Sequence, residues 1–186
     1  MVITILAEPR SGSTNLTNWF FYNENFTTFF EPLNPMSMWF QKNIEPKNYQ
    51  YKTKHLCLKE IYYPNKNWDS IIDISDKIIV LYRENEQEQL ESFINAVTTN
   101  NWDEPYIYKK KENLIIKEKT EYFNILKREF KEKYIDKDYF KISYEELYYN
   151  NGFQKIVDYL NLDCIKNENF PYGQKYRITS IPNKLI

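Results

Sequence analysis

The chain is predicted to fold as a three-layer α/β/α domain around a mainly parallel sheet, and three observations predict it. Short apolar runs alternate with segments of helical periodicity along the whole sequence. One run, "KIIVLY" at 77–82, is apolar almost throughout, the habit of a strand covered on both faces. The first run, "VITIL" at 2–6, passes through the tight polar turn Pro9-Arg10-Ser11-Gly12-Ser13-Thr14 into a segment with Leu16, Trp19 and Phe20 on one side. That is strand, turn and helix at the start of a β-α-β unit.

The remaining elements follow in order. "HLCLKEI" (55–61) and "YFKIS" (139–143) complete four strand-like runs. Helical spacing places Leu90, Phe93, Ile94 and Val97 on one face, then Phe123, Leu126 and Phe130, then Phe153, Ile156, Val157 and Leu160. The resulting order is β-α-β-α-β-α-α-β-α. Residues 23–52, with three prolines, are expected to form a long excursion with one short helix, and residues 165–186 to be irregular.

Composition sets the limits. At 186 residues, 42% hydrophobic and 18% aromatic, the chain has enough apolar surface for a full core and is read as a single domain over 1–186. The 17 tyrosines mark Tyr and Phe as the packing residues in place of smaller aliphatics. A net charge of −1 gives no electrostatic case for nucleic-acid binding, and the basic run Lys109-Lys110-Lys111 gives way at once to mixed charge. Cys57 and Cys164 have neither metal-site nor disulfide spacing, and a lone histidine, His55, rules out a His-cluster metal site. No run is long enough to span a membrane or to read as a signal peptide, so a cytoplasmic protein is the expectation.

The polar turn carries the chemistry. A loop between a strand and a helix start offers free N–H groups to an anion. Set against the triphosphate loop GxxxxGK[ST], Gly12 and Thr14 match, Ala7 stands for the first glycine, and Ser13 stands for the lysine. Without that lysine the loop lacks its reach to β- and γ-phosphates. A nest of N–H groups, three hydroxyls and the planar fork of Arg10 remain, suited to one tetrahedral oxyanion.

"PRSGST" resembles the 5′-phosphosulfate loop of sulfotransferases that use 3′-phosphoadenosine 5′-phosphosulfate (PAPS). Three further segments resemble the same family in the same order. "KIIVLYRENEQEQLESFINAVTTNNW" (77–102) ends a buried strand in Arg83 and places Ser92 on the next helix, similar to the family's 3′-phosphate site in its bacterial carbohydrate and lipid branch. "FEPLNP" (30–35) resembles the acidic-Pro segment whose carboxylate faces the acceptor in several branches. Here Glu31 lies between Phe30 and Pro32. "YFKISYEELYYNNGFQKIVDYLNLD" (139–163) resembles the strand, Tyr-Glu-x-Leu and helix signature, a structural segment, with Tyr144, Glu145 and Leu147. A weaker echo near the end, "YGQKYRITSIPNKLI", offers Gln174, Lys175 and Arg177 to close over the nucleotide.

The resemblance implies a P-loop-like sulfotransferase fold and transfer of a sulfuryl group from PAPS to an acceptor hydroxyl, with 3′-phosphoadenosine 5′-phosphate (PAP) as product and no metal. It implies that Pro9, Arg10, Ser11, Gly12, Ser13 and Thr14 hold the 5′ end of the donor, and Arg83, Ser92, Lys175 and Arg177 the remainder. Lys59, near the end of the second strand-like run, stands where members meet the bridging oxygen. The catalytic set is then Arg10, Lys59 and Glu31, with Glu31 as proton acceptor. His55 precedes Lys59 by four positions, about 13 Å along a strand, and Glu60 points to the opposite face from Lys59. The chain departs from the pattern in its short length, in Arg10 where the animal cytosolic branch has lysine, and in having no Lys-Thr-His element. The acceptor class stays open between carbohydrate, lipid and small alcohol. Two rival readings are a non-catalytic nucleotide-binding module and a small-molecule kinase with a degenerate loop.

Overall fold

A computed structural model describes residues 1–22, 25–35, 37, 53–64, 68–100, 102, 113–150 and 152–161, and the backbone alone at 113–115. Strand β1 (Val2–Ala7) buries every residue after the first. Helix α1 (Ser13–Phe21) follows the polar turn, and β2 (Phe26–Phe30) follows α1. Then come β3 (His55–Ile61), the short α2 (Asp69–Ile72), β4 (Lys77–Tyr82) and α3 (Glu86–Thr99). Helix α4 (Asn113–Phe130) runs into a π-helical turn (Lys131–Ile135), and β5 (Phe140–Ser143), α5 (Tyr144–Tyr149) and α6 (Gly152–Leu160) complete the described elements.

The five strands form one sheet in the order β2-β3-β1-β4-β5, every pair parallel. Parallel strands need covering on both faces, and two sets of side chains provide it. On one face Leu16, Trp19 and Phe20 of α1, Leu147 of α5, and Phe153, Ile156 and Leu160 of α6 pack on Ile3, Ile5, Cys57, Ile79 and Leu81. On the other, Phe93 of α3 and Phe123, Leu126 and Phe130 of α4 pack on Leu6 and Val80, joined by Tyr62, Trp68 and Tyr134. Ile71 of α2 extends that layer over Phe29, Leu56 and Leu58. The domain is therefore three-layered α/β/α, as the alternation of apolar runs and helical spacing predicts.

Aromatic side chains meet edge-on within these layers. The Trp19 and Phe20 centroids are 4.9 Å apart and those of Tyr62 and Trp68 5.5 Å. Cys57 is a free, buried thiol inside β3, a small packing residue as expected.

The stretch 23–52 departs from expectation. Its first part is a strand, β2, paired in register with β3 from Phe26↔His55 to Phe30↔Lys59. The aromatic and β-branched residues of "FTTFF" favour a pleated surface, and the prolines at 32, 35 and 46 all follow it. Residues 38–52, the run Lys109-Lys110-Lys111, Cys164 and the whole of 165–186 lie outside the described residues.

Strand order decides where a ligand can sit. The connection from β1 runs through α1 to the β2 side, and the connection from β4 runs through α3 and α4 to the β5 side. β1 and β4 are neighbours, so their carboxyl ends open a crevice between diverging loops, the switch point where open α/β sheets bind ligands.

Candidate functional site

The β1 loop lies on one side of this crevice. Arg10 (φ 61°) and Gly12 (φ 81°) are both left-handed, with Ser11 between them. Such alternation turns successive N–H groups toward one side, the geometry of an anion nest. Gly12 is the N-cap of α1 and gives it no side-chain cap; the first helical donors, Asn15 and Leu16, both reach the Gly12 carbonyl. The amides of Ser13 and Thr14 are thus those a helix start leaves over. Capping does not explain the loop's hydroxyls. Ser11 is fully buried and donates to the Glu8 carbonyl at 2.8 Å, Ser13 is buried, and Thr14 is exposed.

Glycine at position 12 is also required by its neighbours. A Cβ there would lie 2.8 Å from a ring carbon of Tyr144 and 2.9 Å from one of Tyr148. The Tyr148 hydroxyl donates to the Gly12 carbonyl at 2.9 Å, so α5 holds the loop from behind.

Helix α3 forms the other wall, and its first turns carry a contact to each arginine. Arg10 donates from Nε to the Ser92 hydroxyl at 2.8 Å and from a terminal nitrogen to the Trp102 carbonyl at 2.5 Å. Arg83, just past β4, donates to Glu88 at 2.5 Å, lies over the Tyr144 ring at 4.6 Å, and has Glu145 Oε1 3.7 Å from its Nε. That Nε is buried and makes no hydrogen bond among the described residues. Ser92, placed by sequence beside Arg83, is brought to Arg10 instead. Ser92 follows Glu88 by four residues, one helical turn, so the two arginines grip adjacent positions on one helix face.

The sequence-predicted catalytic pair is also brought together. Lys59 Nζ donates to Glu31 Oε1 at 2.8 Å, with the lysine side chain 3% and the glutamate 19% exposed. Glu31 Oε2 accepts from Asn34 at 2.8 Å, so its setting is polar rather than the apolar one implied by Phe30 and Pro32. Glu31 is left-handed (φ 52°), and its amide donates to the Lys59 carbonyl at 2.6 Å, tying the β2 end to β3. Glu60 faces away, accepting from the Leu33 amide at 2.5 Å. His55 begins β3 at the far end of the strand, so it takes no part.

Tyr63, just past β3, stands in the same surroundings. Burial and then the Glu31 carboxylate push its hydroxyl up to about 12, with the Arg10 charge opposing.

One buried cluster escaped the sequence reading. Glu8 is 1% exposed, and its Oε2 accepts from the Arg83 amide at 3.1 Å, Gln89 Nε2 at 3.0 Å and Lys127 Nζ at 3.3 Å. Burial raises the Glu8 carboxyl above its ordinary range, with Lys127 the chief opposing influence. A cleft of about 400 Å³ opens beside it, lined by Arg83, Lys127, Arg128 and Lys131 but also by Glu84 and Glu86. The available signals were a charge directly after the apolar run "VITILA" and a glutamine on the buried face of α3 with Phe93 and Ala96. Tyr144, read as structural, stacks directly on Arg83. Gln174, Lys175 and Arg177 lie outside the described residues. Among the described residues no three His, Cys, Asp or Glu side chains group as metal ligands, and no helix is long and apolar enough to cross a membrane. Compared with known proteins, the chain matches no family model and no curated protein, so the sulfotransferase likeness rests on these residues alone.

Proposed function

We propose that the protein is a sulfotransferase that moves a sulfuryl group from PAPS to the hydroxyl of a carbohydrate, lipid or small alcohol. The observation that carries this reading is the pairing of two arginine-bearing loops, after β1 and after β4, across the crevice where the chain connections diverge. A donor with a 5′-phosphosulfate and a 3′-phosphate needs two anion grips of this kind. The loop amides and Arg10 take the 5′ end, with Ser13 and Thr14 beside them, and Arg83 takes the 3′-phosphate.

Arg83 suits that task. Its closest carboxylate partner, Glu88, is 59% exposed, so solvent screens that end of the pair and a phosphate can take its place. Among the described residues its Nε makes no hydrogen bond. In the reaction the acceptor oxygen attacks sulfur, a new S–O bond forms, and the S–O bond to the donor phosphate breaks, leaving PAP. Lys59 neutralises charge on the departing phosphate oxygen, and Glu31 takes the acceptor's proton. Lys59 leaving Glu31 for the donor frees the carboxylate as a base.

A second reading, a nucleotide-binding module without transfer, is favoured by one observation. Lys59 and Glu31 are closed on each other at 2.8 Å. Labelled-PAPS transfer to pooled glycans, lipids and phenols separates the two, since a binding module takes up nucleotide and transfers nothing. Arg83→Ala tests the 3′ grip: affinity for PAP should fall far more than affinity for adenosine 5′-phosphosulfate, and equal losses would refute the assignment.

A further inference from the structure

We propose that Glu8 is a positioning residue that sets the spacing between the two anion grips; the role rests on the donor reading above. Glu8 lies where both loops begin. Its amide donates to the Leu81 carbonyl at 3.0 Å, and Pro9 follows it directly. Its carboxylate accepts from the amide of Arg83 at 3.1 Å, fixing the backbone of the β4 loop.

Gln89 carries the connection to the other side. It is fully buried, and its Nε2 donates both to Glu8 at 3.0 Å and to the Pro9 carbonyl at 2.8 Å. Lys127 closes the ring from α4, reaching Glu8 at 3.3 Å, the Arg83 carbonyl at 3.1 Å and Gln89 Oε1 at 3.1 Å. The three side chains thus hold the carbonyl of Pro9 and both backbone groups of Arg83 in one network. Gln89 also sits one turn from Ser92, the partner of Arg10, so the same helix registers both arginines.

The chemistry of the cluster matches a demand for position rather than for stability. A buried carboxylate costs desolvation, and here Oε1 has no hydrogen-bond partner among the described residues. An apolar residue at the end of β1 would fill the space without that cost. It would not bind three donors on one oxygen, two of which lead to opposite loops. A ligand spanning both grips is sensitive to their separation, whereas one held by a single grip is not.

The test compares PAP, which spans both grips, with adenosine 5′-monophosphate, which uses the β1 loop alone, by calorimetric titration. Glu8→Ala should weaken PAP by about tenfold or more while leaving the monophosphate within about twofold, the scale expected of a small misplacement. Glu8→Gln keeps an acceptor oxygen and should restore PAP binding to within about threefold of wild type. Gln89→Leu severs the Pro9 link and carries the same expectation as Glu8→Ala, should that variant fail to fold. Equal weakening of both nucleotides, or of neither, overturns the positioning role alone. A wild-type protein that binds PAP no more tightly than the monophosphate overturns the donor reading, and this role with it.

Discussion

Gly12 is the position where backbone and side-chain demands coincide. Its left-handed conformation costs an L-residue about 1–2 kcal/mol, and a methyl group would press into two tyrosine rings held by α5. Gly12→Ala should therefore destabilise the fold by about 2 kcal/mol or more in denaturant titration, and adding Tyr144→Leu should recover part of the loss. Lys59 and Glu31 are coupled in another way. Removing one member of a buried pair strands the other, and Lys59 is the more enclosed. Glu31→Gln should cost about 2 kcal/mol of stability, less than a fully buried pair because Glu31 is partly exposed. On the proposed reading it should also lower sulfuryl transfer strongly while PAP affinity stays near wild type. Unchanged turnover would remove Glu31 as the base.

The junction of β4 and α3 works as a unit. Asn85 caps α3 by accepting from the Glu88 amide at 3.2 Å, and Glu145, from α5, accepts from the Glu84 and Asn85 amides at 3.0 and 3.1 Å. Burial alone would raise the Glu145 carboxyl, but these amides and the Arg83 charge outweigh it and hold the group below its ordinary range. A depressed folded-state value stabilises the fold above the ordinary carboxylate range, and that contribution disappears as pH falls through the folded value. Glu145→Gln should therefore lower the thermal midpoint by about 3 °C at neutral pH, with the difference closing as pH falls through the depressed folded-state value. A gap that persists unchanged in acid would show that ionisation of the carboxyl is not what stabilises the junction. The element also shows why Tyr-Glu-x-Leu was legible as a motif but not as a site. Tyr144 lies on Arg83 and Glu145 holds the loop before α3, contacts between segments 60 or more residues apart.

Across the whole molecule, Glu8 acts with the opposite sign. Burial raises its folded-state value, so between the ordinary carboxylate value and the raised one the folded chain keeps a proton that the unfolded chain has released. Stability then falls as pH rises through that window. Glu8→Gln mimics the protonated form, and its thermal midpoint should exceed that of wild type at pH 7, the gap closing toward about pH 4. A midpoint below wild type at pH 7 would show that the Lys127 pair outweighs burial. Paired with the binding test above, this separates what the residue costs the fold from what it does for the loops.

The sequence by itself determined the layers and the loop. Strand runs, helical spacing and the strand–turn–helix at residues 2–21 depend on neighbours along the chain, and periodicity reports those directly. Lys59 was legible as a candidate because it lies near the end of a strand-like run, and Glu31 because "FEPLNP" resembles an acidic-Pro segment. Tertiary structure alone decided the strand order, the entry of β2 into the sheet, the transfer of Ser92 to Arg10, and the Glu8–Gln89–Lys127 network. Those depend on contacts between segments far apart in sequence. A buried polar residue is recognisable only once its partners, up to 119 positions away, are in place.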